Sequence, residues 1–153
     1  MKVFFAFAVI IGIGAAYLFS LSFMKPDPLI ESQIRGQILY ANSCAACHGA
    51  NLEGQENWRI QNADGSMPAP PHNAEGHTWH HDDDMLFEYT KFGGAATMAA
   101  RGVTGFNSGM PAFEGLLSDE NINDIWAYIK STWSDRERGV QAERTAAEAA
   151  AKG

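Results

Sequence analysis

The chain has 153 residues, with 11 Lys and Arg against 18 Asp and Glu, which leaves room for one modest domain with an added anchor or tail but not for two folding units. Beyond residue 25 nine bases face eighteen acids, so the basic footprint that phosphate binding needs is missing and nucleic acid is a poor partner. Two cysteines, at 44 and 47, are too few for a disulfide-stapled secreted scaffold.

The stretch from Val3 to Met24 carries no charged side chain. As a helix it would reach about 33 Å, enough for a hydrocarbon core of about 30 Å. Lys2 and the amino terminus precede it while Asp27 and Glu31 follow, so the positive-inside bias places the N-terminus in the cytoplasm and exports the rest. A cleaved signal peptide is the alternative, with Gly14 and Ala16 or Ser20 and Ser22 as the small residues before a cut. Either way residues 1–25 are an anchor or signal, 26–133 a domain and 134–153 a tail.

Pro26, Asp27 and Pro28 make a short hinge. From Leu29 to Ser43 the spacing of Ile30, Ile34, Ile38 and Leu39 predicts an amphipathic helix. Gly36 interrupts it at a propensity cost of about 1 kcal/mol, which implies that a side chain or a second helix approaches the backbone there. Residues 49–81, with Pro68, Pro70 and Pro71, read as a loop long enough to be functional or wrapped around something. A helix is expected over Asp83–Phe92, with acids in its first turn and Gly93 as the stop, then a Gly-rich loop over Gly93–Leu117. Ser118 caps a last helix in which Ile122, Ile125, Ile129, Trp126 and Trp133 form one apolar stripe. No strand pattern competes, so the fold class is all-α. The Ala, Glu and Arg-rich residues 134–153 read as a solvated helical extension or a disordered tail, inert rather than a docking element.

The chemistry sits in Cys44, Ala45, Ala46, Cys47 and His48. Two thiols separated by two residues can add across the two vinyl groups of a haem while the following imidazole ligates the iron. A thioredoxin-like pair would need a strand before it and a helix after it. A zinc site would need a second ligand pair, for which only the histidines near residue 77 are candidates. An exported, unmodified pair would tend to close into a tight disulfide. Covalent haem attachment is therefore the expectation.

With these residues in place the chain resembles the class I c-type cytochromes over about residues 29–133. Gly36 and Tyr40 resemble the family's glycine and aromatic that meet the last helix, where Ala127, Tyr128, Ile129 and Lys130 match the usual ending. Gly109, Met110, Pro111, Ala112 and Phe113 resemble the loop that supplies the second axial ligand. The resemblance implies helices wrapped around one covalently attached haem c, preceded here by one N-terminal transmembrane helix, with the first and last helices crossing at Gly36. It also implies that a proline carbonyl accepts the hydrogen bond from the outer nitrogen of the proximal histidine, and Pro70 within Ala69–His72 is the candidate. His72 departs from the pattern, standing where the family more often has an apolar residue.

Four methionines beyond the anchor compete for the sixth iron position. Met85 is expected to pack on its helix, and Met98 lies in a small-residue stretch with nothing to fix it. Met67, like Met110, precedes Pro and Ala. Met110 is preferred because it directly precedes the last helix and Pro111 biases it to an extended conformation; Met67, a histidine or an open site are the alternatives. His48 with Met110 would raise the potential and close the iron to reactants, giving a one-electron carrier rather than an enzyme. An open sixth position would give a haem enzyme or small-ligand sensor instead, and absence of haem a zinc module.

Gly76, His77, Thr78, Trp79, His80, His81 and Asp82–Asp84 form the most unusual composition in the chain. Trp79 and one or two histidines are expected to donate to the haem propionates while the acids begin the next helix. The competing reading is a copper or zinc site from His77, His80 or His81 and a carboxylate. By resemblance, the partners expected on the periplasmic face of a bacterial inner membrane are a quinol-oxidising complex as donor and a terminal oxidase as acceptor.

Overall fold

The computed structural model describes residues 27–153, so the expected membrane span over Val3–Met24 lies outside the described residues. Among the described residues no helix is long and apolar enough to cross a membrane. Ser32–Gly153 form one compact unit. Asp27 lies just before the first helix, and its carboxylate accepts the Leu29 N–H at 2.8 Å.

The described residues form helices α1 (Pro28–Ser43), α2 (Ala45–His48), α3 (Asp83–Phe92), α4 (Gly94–Ala100), α5 (Asp119–Ser131) and α6 (Asp135–Lys152), with a 3₁₀ turn at Thr78–His80. They contain no strand, only isolated bridges at Met67 with Ser108 and at Glu114 with Leu117. Helix α5 starts as its sequence dictates. The Ser118 hydroxyl accepts the Asn121 N–H at 3.1 Å while the Asn121 side chain accepts the Ser118 N–H at 3.2 Å, closing a reciprocal cap. Its stripe of Ile122, Ile125 and Ile129 is essentially fully buried, each side chain contributing about 1.5–3 kcal/mol.

Helix α1 meets α5 through Gly36. A Cβ at that position would lie 1.8 Å from the Asp124 carbonyl oxygen and 3.0 Å from the Tyr128 Cβ. Only a residue without a side chain lets the two backbones come this close. Tyr40, one turn on, is buried, packs against Tyr128 at 5.5 Å between ring centroids and donates its hydroxyl hydrogen bond to the Gly49 carbonyl at 2.8 Å. The isoleucine spacing that announced α1 points elsewhere: Ile30, Ile34 and Ile38 are all more than half exposed. Residues 34 and 36 stand about 200° apart around the axis, so docking on Gly36 turns the isoleucines away.

Two further expectations are corrected. The stretch after Gly93 is not all loop, because Gly94–Ala100 forms α4 and carries Met98 on it. Residues 135–152 form a helix that is neither disordered nor solvated all round: Glu137 and Gln141 are buried and Val140 packs against the core. Its start is fixed by Glu137, whose carboxylate accepts from both the Ser134 N–H at 3.0 Å and the Ser134 hydroxyl at 2.5 Å.

Candidate functional site

Cys44, Cys47 and His48 follow the end of α1, and the short α2 places His48 in the interior while leaving Cys47 exposed. Cys44 is buried in the same core cluster as Tyr40, Leu52, Trp79 and Trp133. Burial, assisted by the neighbouring Cys47, pushes the Cys44 thiol up to about 11.

The loop expected over 49–81 is pinned to this corner by its own backbone. Gly54 donates to the His48 carbonyl at 2.8 Å, Gln55 to the Ala69 carbonyl at 2.9 Å and His72 to the Leu52 carbonyl at 2.8 Å, while the Gln55 side chain accepts the Ala69 N–H at 2.8 Å. The packing is tight enough that a Cβ at Gly54 would lie 2.5 Å from the Pro71 nitrogen. The result is that the Pro70 carbonyl oxygen stands 2.8 Å from His48 Nδ1. With Nδ1 so engaged, Nε2 is the nitrogen left for a metal. Burial lowers the pKa of His48, opposed by the bond to Pro70, and favours the neutral imidazole that ligation needs.

His72, unassigned by sequence reasoning beyond its departure from the family pattern, lies directly on this imidazole. The two rings stack with centroids 4.1 Å apart and planes 20° from parallel. Its Nδ1 is 2.9 Å from the Thr78 hydroxyl, which in turn lies 3.3 Å from the Pro71 carbonyl. Its own carbonyl accepts the Trp133 Nε1–H at 2.7 Å. Burial holds its pKa well below the usual histidine range. The only hint in the sequence was a polar residue at a position where an apolar one is usual.

Trp79 is buried, stacked on His80 at 3.8 Å and covered by the Arg136 guanidinium at 5.2 Å. Its Nε1–H is buried without an acceptor, in a fold where Trp133 Nε1 and Trp126 Nε1 both have one. A buried donor left this way suits a ligand carboxylate such as a haem propionate. The residues therefore fit a haem: two thiols, an imidazole with a free inner nitrogen and an orphaned donor, with Trp79 and Cys44 in one apolar cluster. The histidine-rich stretch is less concentrated than its sequence. His77 stacks on Trp58 at 5.3 Å and meets His81 edge-on, while His80 is exposed on Trp79. Among the described residues no group of three or more His, Cys, Asp or Glu is arranged to hold a metal ion. Asp82 instead caps α3 by accepting the Met85 N–H at 2.8 Å.

Met110 is held by a separate set of contacts at the α3–α4 junction. Its N–H donates to the Ser108 hydroxyl and its carbonyl accepts the Gly94 N–H, both at 3.2 Å. The Met67 backbone bridges to Ser108 in the same loop, so both candidate methionines lie in one region of the chain, and both are half-buried.

Residues 33–133 match the cytochrome c family. Cytochrome c6 of Nostoc sp. (strain PCC 7120) is 30% identical over 123 residues, covering 79% of this chain and 86% of that protein. No solved structure matches the chain.

Proposed function

The chain belongs to the cytochrome c family, and from that premise we propose a one-electron carrier whose iron is held between His48 and Met110 and passes electrons between respiratory complexes. It is an electron-transfer protein rather than an enzyme, with one haem c attached through Cys44 and Cys47. The observation that carries the proposal is the bond between His48 Nδ1 and the Pro70 carbonyl, which orients the imidazole, fixes its tautomer and raises its basicity as a ligand.

Bound haem supplies the one-electron couple. The protein's part is to hold ligands and exclude water. Pro70 grips His48, the Cys44 side of the site is apolar and closed, and the Trp79 N–H offers a donor to a propionate. Met110 is preferred to Met67 as the sixth ligand because hydrogen bonds on both sides of its backbone fix it and Pro111 keeps it extended. His48 and Met110 would hold the iron, the soft thioether would favour Fe(II), and with both residues bound no place would be left for substrate.

The proposed setting is the periplasmic face of a bacterial inner membrane, with the apolar segment Val3–Met24 as a single span or a removed signal. The donor is proposed to be a quinol-oxidising complex and the acceptor a terminal oxidase. An excess of acids across the domain suits a neutral or basic partner surface. Adding carbon monoxide to the reduced protein tests the closed iron. No change in the Soret band is expected, whereas a high-spin spectrum that responds to the gas would identify an open-site enzyme or sensor.

A further inference from the structure

The segment Ala69–His72 touches the proximal imidazole twice: the Pro70 carbonyl holds its edge at 2.8 Å, and the His72 ring covers its face at 4.1 Å. We propose that His72 is a positioning residue for the axial ligand, fixing the plane of His48 about the iron–nitrogen bond and lowering the iron's potential relative to an apolar neighbour. This rests on haem binding through His48.

The geometry is over-determined in a way that simple space-filling does not require. The Thr78 hydroxyl has a single proton, and with that proton directed to the Pro71 carbonyl its oxygen accepts from His72 Nδ1. Nδ1 is then the donor, with the ring's rotation set by Thr78 and its backbone set by Leu52 on one side and Trp133 on the other. Tyr40 and Trp126 close on it edge-first, at 6.4 Å and 5.6 Å between centroids and 72° and 79° between planes. Edge-to-face contacts of this kind favour one ring orientation. A rotationally locked ring in parallel contact with a second ring transfers that lock, because any turn of His48 must break either the stack or the bond to Pro70. The electron-rich face of a stacked aromatic ring also interacts better with a ligand ring that carries more positive charge, which would be the ring on Fe(III). The oxidised state is favoured, and the potential falls.

Two variants separate these effects in the haem-loaded protein. In His72→Leu the stack is lost: the ferric low-spin electron paramagnetic resonance signal should shift and broaden as ligand orientations multiply, and the potential should rise. In His72→Phe a flat ring is restored, so the resonance signal should return towards the natural one. Thr78→Val keeps the stacking ring but frees its rotation, and should broaden the signal without a large change in potential. Should His72→Leu fail to assemble, the Phe and Val variants carry the test of positioning, and His72→Met, an unbranched apolar replacement expected to raise the potential as Leu does, carries the test of potential. Natural spectra and potential in all assembled variants would overturn the proposal while leaving the carrier reading intact. Loss of the Soret band from the natural protein itself would instead remove the haem on which both rest.

Discussion

Arg35 on α1 and Asp124 on α5 are joined by two hydrogen bonds, Nε to Oδ2 at 2.7 Å and Nη2 to Oδ1 at 3.0 Å, beside the point where Gly36 lies against the Asp124 carbonyl. The Ser32 hydroxyl adds a third at 2.5 Å. The carboxylate is buried while the guanidinium is half exposed, so solvent weakens the ionic part and the hydrogen bonds carry most of the gain. The helix crossing that frames the haem site is thus held by a polar clamp as well as by close backbone packing.

That clamp sets an acid limit. The Arg35 hydrogen bonds, joined by the one from Ser32, hold the Asp124 carboxyl below the usual range against the opposing pull of burial. A depressed carboxyl pKa contributes stability that is fully present above the unfolded value of about 4 and is lost as pH falls through the folded one. Asp124→Asn should cost about 1–2 kcal/mol at neutral pH, and the gap from the natural protein should narrow below about pH 4. Urea unfolding at a series of pH values reads both.

Gly36→Ala asks whether the close approach is needed. The added methyl would fall well inside contact distance of a backbone oxygen, so the helices must part. A loss of about 3 kcal/mol is expected, or roughly 10 °C in melting temperature for a domain of this size. A melting curve unchanged from the natural protein would show that α1 and α5 are farther apart than described.

How far the sequence alone reached depended on whether a signal was local. The Ser118 and Asp82 caps and the Gly93 stop depend on neighbours within four residues, and the corresponding helix starts and stop fall where expected. Gly36 was legible because a glycine inside a helical pattern needs a packing reason. The outward turn of Ile34 and Ile38 was not, since periodicity shows that a helix has an apolar stripe without saying which face a partner claims. The packed face of α6 escaped because it is polar: Gln141 and Thr145 bind Asp83 through hydrogen bonds, and no hydrophobic pattern announces such an interface. His72 could be seen as anomalous, but stacking across 24 residues of chain is a tertiary fact.

Trp79→Phe tests the orphaned donor. If the indole N–H serves a propionate, the haem-loaded variant should unfold about 1–3 kcal/mol more easily in guanidinium. If it has no partner even with haem present, removing it should leave stability unchanged or raise it, because a buried unsatisfied group is costly. The two cases differ in sign.

Helix α6 is predicted to be a brace. Gln141 Nε2 donates to Asp83 Oδ1 at 2.6 Å, the Asp83 N–H donates to Thr145 at 3.1 Å and Arg136 lies over Trp79. Ending the chain after Trp133 should cost at least about 3 kcal/mol, at roughly 1 kcal/mol for each of these polar contacts and with the packing of Val140 on the core lost besides, while the visible spectrum stays that of the full chain. A spectrum that changes on truncation would mean that the helix acts on the haem itself rather than on the frame around it.

The most direct measurement of the central claim is the sulfur-to-iron charge-transfer band of the oxidised protein in Met110→Ala and Met67→Ala. Loss of the band in the first and its retention in the second are predicted. Retention in Met110→Ala, or its loss in Met67→Ala alone, would contradict an iron held between His48 and Met110.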